Sequence, residues 1–235
     1  MKKDIYNDQT YLASNPTWHE EDAGFKVDRI VKLLGRHPVP FKNVCEVGCG
    51  SGEILVQLRK RFPDVENWMG YDISADAIAI ANSKASDKIK FELQDIALAD
   101  KSVTYDLMLV IDVIEHLENY FSFLDSILER SRYFIFHIPL DMSVWSLMRE
   151  GMLIESKNRV GHIHNFTEDF IKSILNDHGF TILDQAYTEP VYKVNSFKQQ
   201  LVNTIRRILF RLNPRFCTKT MGGYSIMVLA ERAYD

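Results

Sequence analysis

Between Cys45 and Gly52 the chain reads Cys-Glu-Val-Gly-Cys-Gly-Ser-Gly, with glycines at 48, 50 and 52. Glycines at alternate positions after a strand permit a tight turn and let a ligand lie against bare backbone. A following helix offers that ligand free N–H groups. Asp72 stands 20 residues past Gly52 at the end of the next apolar stretch, where a carboxylate can accept both hydroxyls of a ribose. Glu46 and Asp72 could instead cap helices. Two acidic residues that end successive strands beside a glycine turn favour binding of a ribose-containing cofactor.

Histidines supply the other chemistry. Glu115 and His116 follow the apolar run Leu107 to Ile111, and His162 and His164 sit in Gly-His-Ile-His-Asn-Phe-Thr. An oxygen acceptor would benefit from a base, with His116, His137, His162 and His164 as candidates. His162 and His164 point to one side if extended and could form half of a metal site. Without a third ligand nearby, a loop wall is the expected role, and no metal is expected. Cys45 and Cys49 read as small packing residues, because nothing local would depress a thiol pKa.

The elements that must position these residues alternate along the chain. Residues 22–35 form a leading helix, with Phe25, Val27, Ile30, Val31, Leu33 and Leu34 at helical spacing. Strands are expected at 43–47, 67–72, 89–94, 107–111, 133–137, 180–186 and 224–230. Helices are expected at 53–62, 75–83, around Tyr120 to Leu128, and at 168–178, with Ser74 and Thr167 as caps. Strand and helix alternating over short connections imply a doubly wound, mostly parallel seven-stranded sheet covered on both faces. Such a sheet binds ligands at the carboxyl ends of its strands.

The chain has 235 residues, 46% hydrophobic and 26% charged, with a formal net charge of -4. That is long enough to bury a core without staples. Its three cysteines, Cys45, Cys49 and Cys217, fit neither a disulfide framework nor a four-ligand zinc site. The polar N-terminus has no apolar signal-like run and no segment approaches a membrane span, so a cytoplasmic protein is expected. Mild acidity argues against nucleic-acid binding. Tyr11, Trp18 and His19 precede the leading helix, and Trp18 could either cover the site as a lid or anchor an arm.

Charge is unevenly placed. Val191 to Ala230 carries seven basic residues, Lys193, Lys198, Arg206, Arg207, Arg211, Arg215 and Lys219, and no acidic one, so the remainder of the chain is at -11. Phe197, Leu201, Ile205, Ile208 and Leu212 recur there at helical spacing, ended by Pro214. The ordinary role of such a basic amphipathic helix is to pack on the sheet with its arginines in water. Peripheral membrane contact through 196–212, or contact with an acidic or lipid-linked substrate, is the alternative.

Four segments in this order, CEVGCGSG at 45–52, GYDIS at 70–74, FELQDI at 91–96 and YDLMLVIDVIEHL at 105–117, carry a resemblance. The chain resembles the class I S-adenosylmethionine-dependent methyltransferases, especially the small-molecule enzymes of the ubiquinone and menaquinone biosynthesis type. The resemblance implies a Rossmann-like methyltransferase domain over 41–235, with an N-terminal arm and helix at 1–40 and a basic helical elaboration at 187–223. It implies that Glu46 and the turn of Gly48, Cys49 and Gly50 hold the methionine part of S-adenosylmethionine, that Gly52 also belongs to the cofactor site, and that Asp72 binds the ribose. Ile73 would pack on the adenine, Asp95 and Ile96 would meet its edge, and Ile111 and Asp112 would line the methionine and substrate side. His116, His162 and His164 are then the catalytic candidates, acting on oxygen or nitrogen of a small acceptor, anionic or lipid-linked.

Two rivals remain at this stage. A nicotinamide-dependent oxidoreductase shares the glycine turn and the ribose carboxylate, but here Glu53 stands where its G-x-G-x-x-G motif carries glycine or alanine. A protein that binds the cofactor without transferring the methyl group is the other.

Overall fold

A computed structural model describes residues 20–100, 102–149, 151–189 and 196–233. The leading helix is α1 (Glu20–Arg36), followed by β1 (Asn43–Val47), α2 (Glu53–Arg61), β2 (Asn67–Asp72), α3 (Ala75–Asn82), β3 (Ile89–Leu93) and β4 (Tyr105–Ile111). After a 3-10 turn at Ile114–His116 come α4 (Tyr120–Leu128), β5 (Ser131–Pro139), α5 (Val144–Met148), α6 (Met152–Val160) and α7 (Glu168–Asp177). The chain ends in β6 (Phe180–Thr188), α8 (Phe197–Leu212), α9 (Pro214–Met221) and β7 (Ser225–Arg232). The Trp18 arm lies outside the described residues.

The strands form one seven-stranded sheet in the order β3-β2-β1-β4-β5-β7-β6. Every pairing is parallel except those of β7, which runs antiparallel to both β5 and β6. The continuous apolar run of β4 explains its central place, since a strand covered on both faces has no side to give to polar residues. Leu107, Leu109 and Ile111 face a layer with Leu55 of α2 and Ile30 of α1, whereas Met108 and Val110 face Leu124 of α4 and Ile171 of α7. Each fully buried side chain of this size contributes about 1.5–3 kcal/mol before conformational entropy is set against it.

Helix starts follow local chemistry. Ser74 Oγ accepts from Ala77 N, Asn119 Oδ1 from Ser122 N, and Thr167 Oγ1 from Phe170 N. Pro214 ends α8 as the spacing requires and also opens α9, where Asn213 Oδ1 caps Phe216 N. A proline at the first helical position loses no hydrogen bond, so one residue serves both ends.

The expected packing of the basic helix on the sheet is not what the structure has. None of the described α8 side chains is buried, and Leu201, Ile205 and Ile208 are 53%, 44% and 54% exposed. Attachment runs through Phe210, which stacks on Tyr224 at 4.5 Å and meets the Tyr187 ring edge-on, and through α9. Arg215 and Lys219 of α9 both pair with Asp169 of α7, which takes two of the seven basic residues out of the patch. Helical periodicity reports an apolar stripe but not what covers it.

Candidate active site

Parallel pairing of β2, β1, β4 and β5 brings their carboxyl ends to one edge, where Glu46, Asp72, Ile111 and His137 belong to neighbouring strands. A cleft of about 1520 Å³ opens there. That exceeds the 300–1,000 Å³ of an ordinary single-ligand pocket and leaves room for two reactants.

At one end is the glycine turn. Gly48, Gly50 and Gly52 all have positive φ, at 68°, 53° and 75°. A Cβ on Gly48 would come within 2.7 Å of Val113 Cγ2. The turn is held from β2, since Gly50 N donates to Asp72 Oδ2 and Ser74 N to Asp72 Oδ1, both at 2.8 Å. Asp72 therefore orders the loop with its own carboxylate and, having about four lone-pair sites, retains acceptor capacity for hydroxyls. Burial raises its pKa, against the three backbone N–H groups around it.

Glu46 is 1% exposed and its Oε2 has no hydrogen-bond partner. Burial pushes this carboxyl well above the usual range, with Lys26 acting in the opposite direction. Such an atom is an acceptor kept ready for a donor that enters the cleft. Cys45 and Cys49 are held as thiols by burial, as packing residues should be.

In the middle of the cleft Asp112, at a φ of 54°, joins two other elements. Its Oδ2 pairs with Lys26 of α1 at 2.6 Å and its Oδ1 with His137 Nδ1 of β5 at 2.5 Å. Burial would raise Asp112, but the charges of His137 and Lys26 outweigh it and hold the carboxyl well below its usual value. His137 Nε2 in turn meets Thr188 Oγ1 at 2.7 Å, so both ring nitrogens are engaged and His137 is a structural link.

The other histidines line the same cleft. Glu115 is fully buried, and His116 and His162 meet edge-on with ring centroids 5.0 Å apart. His162 Nδ1 lies 2.6 Å from Asp141 Oδ2, and His116 Nδ1 lies 3.1 Å from the Gly161 carbonyl. Burial, with the Asp112 charge next, pushes the Glu115 carboxyl well up. The backbone carbonyl of Glu115 accepts from Ile163 N and His164 N, which ties the histidine loop to the β4 turn. His164 packs edge-on against Tyr120.

Glu46, Gly48, Cys49, Gly50, Asp72, Ile73, Ile111, Asp112, His116, His162 and His164 all line the cleft. Gly52, Asp95 and Ile96 are not among its lining residues. Gly52 abuts the Phe91 ring, only 2.4 Å from where a Cβ would stand, so its small size serves packing. Asp95 is exposed and accepts from Ala97 N within its own turn. Ile96 is turned into the core, because Arg130 anchors the segment by donating to the carbonyls of Ala99 and Asp100.

Sequence reasoning missed Lys26, Asp141, Thr188 and Tyr224, which also line the cleft, and gave Glu115, singled out beside His116, no place in the histidine cluster. Lys26 was detectable in principle, since it adjoins Val27 on the buried face of α1.

The sheet order, glycine turn and acidic strand ends define a Rossmann-like α/β protein of the class I methyltransferase kind. Residues 18–185 match the methyltransferase domain family, and the chain belongs to it. It is 28% identical over 174 residues to the magnesium-protoporphyrin O-methyltransferase of Synechocystis, covering 69% of this chain and 73% of that one. The crystal structure of magnesium protoporphyrin IX methyltransferase from Synechocystis with bound SAH superposes with a TM-score of 0.59 at 19% identity, over 99% of this chain and 90% of that one. The N-methyltransferase NodS from Bradyrhizobium japonicum, in complex with S-adenosyl-L-homocysteine, gives 0.61 at 16% identity, over 97% and 100%. The chain is thus an S-adenosylmethionine-dependent methyltransferase, and the oxidoreductase reading is set aside.

The residues present fit that cofactor. The unpaired buried oxygen of Glu46 suits an ammonium, the acidic wall suits a sulfonium, and the half-exposed Ile73 offers an apolar surface to a flat ring.

Proposed function

We propose that this enzyme methylates an oxygen or nitrogen of a small anionic or lipid-linked acceptor, with the cofactor at the glycine-turn end of the cleft and the acceptor at the histidine end. The observation that carries this reading is a single cleft, larger than one ligand needs, lined both by a carboxylate-rich glycine turn and by a histidine cluster. The magnesium-protoporphyrin O-methyltransferase supports an oxygen acceptor, and the N-methyltransferase NodS keeps nitrogen in view.

Bound S-adenosylmethionine supplies an activated methyl group whose departure leaves a neutral thioether. Little acid-base machinery is needed, so the protein's task is alignment and exclusion of water. Glu46 would hold the ammonium, Asp72 the ribose hydroxyls, and the bare backbone at Gly48 and Gly50 would let the ligand approach closely. Asp112 is committed to Lys26 and His137 and acts by fixing α1 over the strand ends. His116, His162 and His164 surround the place where an acceptor would give up a proton.

The exposed face of α8 supports an anionic bilayer surface as the site from which acceptor is drawn. Leu201, Ile205 and Ile208 are half-exposed beside Arg207 and Arg211, and the segment from 191 to 230 has no carboxylate to repel lipid phosphates. No helix among the described residues is long and apolar enough to cross a membrane. A cytoplasmic location is compatible with this.

A thermal-shift comparison of S-adenosylmethionine, S-adenosylhomocysteine and NADPH tests the cofactor half, with stabilisation by the first two alone expected. Turnover with anionic and lipid-linked acceptors tests the rest, and turnover confined to cationic acceptors would overturn it. Flotation with vesicles containing phosphatidylglycerol should capture the protein, and Leu201→Glu with Ile208→Glu should abolish capture. Capture by neutral vesicles alone, or none at all, would remove the membrane reading.

A further inference from the structure

We propose that Glu115, His116 and His162 form a binding site for one divalent first-row transition-metal ion at the acceptor end of the cleft.

The three side chains come from two separate segments. Glu115 and His116 lie in the turn after β4, whereas His162 is in the loop after α6. Their ligand atoms all lie within 4.8 Å of one another. Nε2 of His116 is 3.9 Å from Glu115 Oε1, and Nε2 of His162 is 4.0 Å from the same oxygen. These separations are too long for hydrogen bonds. Ligands about 2.0–2.2 Å from one ion stand roughly 3–3.6 Å apart, so the two pairs to Glu115 need to close by about half an ångström, and a pair at the full spread of the cluster by a little more than about 1 Å.

A second observation points to a cation. Glu115 is completely buried, and among the described residues neither of its carboxylate oxygens has a hydrogen-bond partner. A carboxyl group in that state costs several kcal/mol unless something pairs with it. Its neighbours do not supply a donor at hydrogen-bond distance, and both imidazoles turn their Nε2 edge toward it.

The outer contacts fit as well. A metal-bound imidazole ordinarily donates its other N–H to a carboxylate or a backbone carbonyl, which fixes the tautomer and aims the ligand nitrogen. His162 Nδ1 has Asp141 Oδ2 at 2.6 Å, and His116 Nδ1 has the Gly161 carbonyl at 3.1 Å. Both rings are therefore held by Nδ1 and present Nε2 to Glu115.

Two imidazoles and one carboxylate suit Mn²⁺, Fe²⁺, Co²⁺ or Zn²⁺ better than Mg²⁺ or Ca²⁺, which favour oxygen. His116 and His162 face the cleft, so an ion held by three protein ligands keeps positions open to an acceptor oxygen. An ion there would lower the pKa of a bound hydroxyl and fix its direction, with the proton released to solvent or to His164. That role rests on the acceptor placement proposed above, whereas metal binding itself does not.

The test is titration of the purified, chelator-treated chain with Co²⁺ and Zn²⁺, followed by calorimetry and by the visible d–d absorption of Co²⁺. One equivalent should bind with a Co²⁺ spectrum of nitrogen and oxygen ligation. Glu115→Gln and His162→Asn should each weaken binding at least 100-fold, and Asp141→Asn, which only orients His162, by 10–100-fold. Circular dichroism and S-adenosylmethionine affinity, read on the same samples, separate a lost site from a lost fold. No stoichiometric binding by the folded wild type, or binding that survives all three substitutions, would overturn the proposal. Loss of S-adenosylmethionine binding with the metal site intact would count against the cofactor assignment instead.

Discussion

Asp112 and His137 end adjacent parallel strands and are joined twice, through their side chains at 2.5 Å and through Asp112 N to the His137 carbonyl at 3.0 Å. Lys26 closes the same carboxylate from the helix above, so three elements meet at one partly buried charge.

That junction predicts an acid-sensitive stability. The Asp112 carboxyl is depressed in the folded chain, so its contribution is fully present above its unfolded value near 4 and is lost as pH falls through the lower folded value. Asp112→Asn should destabilise the protein by about 2 kcal/mol at pH 7, the order of a hydrogen bond to a charged group. Urea titrations at pH 7 and pH 3 check this, and the deficit should shrink in acid.

Asp72→Ala should weaken S-adenosylmethionine binding by at least about 100-fold. Besides any ribose contact, the substitution removes the acceptor for Gly50 N and Ser74 N, so the glycine turn loses its anchor. Calorimetry would show the loss, and unchanged affinity would refute the placement of the cofactor.

Glu46→Gln should separate stability from function. Burial raises the Glu46 carboxyl, so ionising it costs the empty protein stability as pH rises above its unfolded value near 4.3. The amide escapes that cost, and the variant's melting temperature should exceed the wild type's by a few degrees at pH 8 and match it near pH 4. Its affinity for the cofactor should nevertheless fall, since the amide cannot balance an ammonium.

Gly52→Ala should be a folding defect more than a binding defect. A Cβ there meets the Phe91 ring at 2.4 Å in a backbone at φ 75° that alanine resists. A loss of about 2 kcal/mol or more in chemical denaturation is expected.

Strand and helix positions were legible because each apolar run met a period that admits one structure. The residues 43–47 and 67–72 are the observed β1 and β2 to the residue. The short helices α5 and α6 escaped because α6 buries none of its side chains and α5 only Ser146, so neither carries an apolar stripe. The cofactor end of the cleft was readable from a local motif. The Glu115, His116 and His162 cluster was not, because its members are brought together by a loop closure that no spacing reports.

The antiparallel course of β7 turns the stretch between β6 and β7 into a detachable attachment. Thr188 pairs with Ser225, and Pro139 of β5 with the same residue, so the chain leaves and rejoins the sheet at one point on the rim of the cleft. The strand register on either side of the segment is set by pairing to Ser225 and its neighbours, not by α8. The acceptor-delivery role proposed for α8 would then reside in a segment that joins the sheet apart from the strands that carry Glu46 and Asp72.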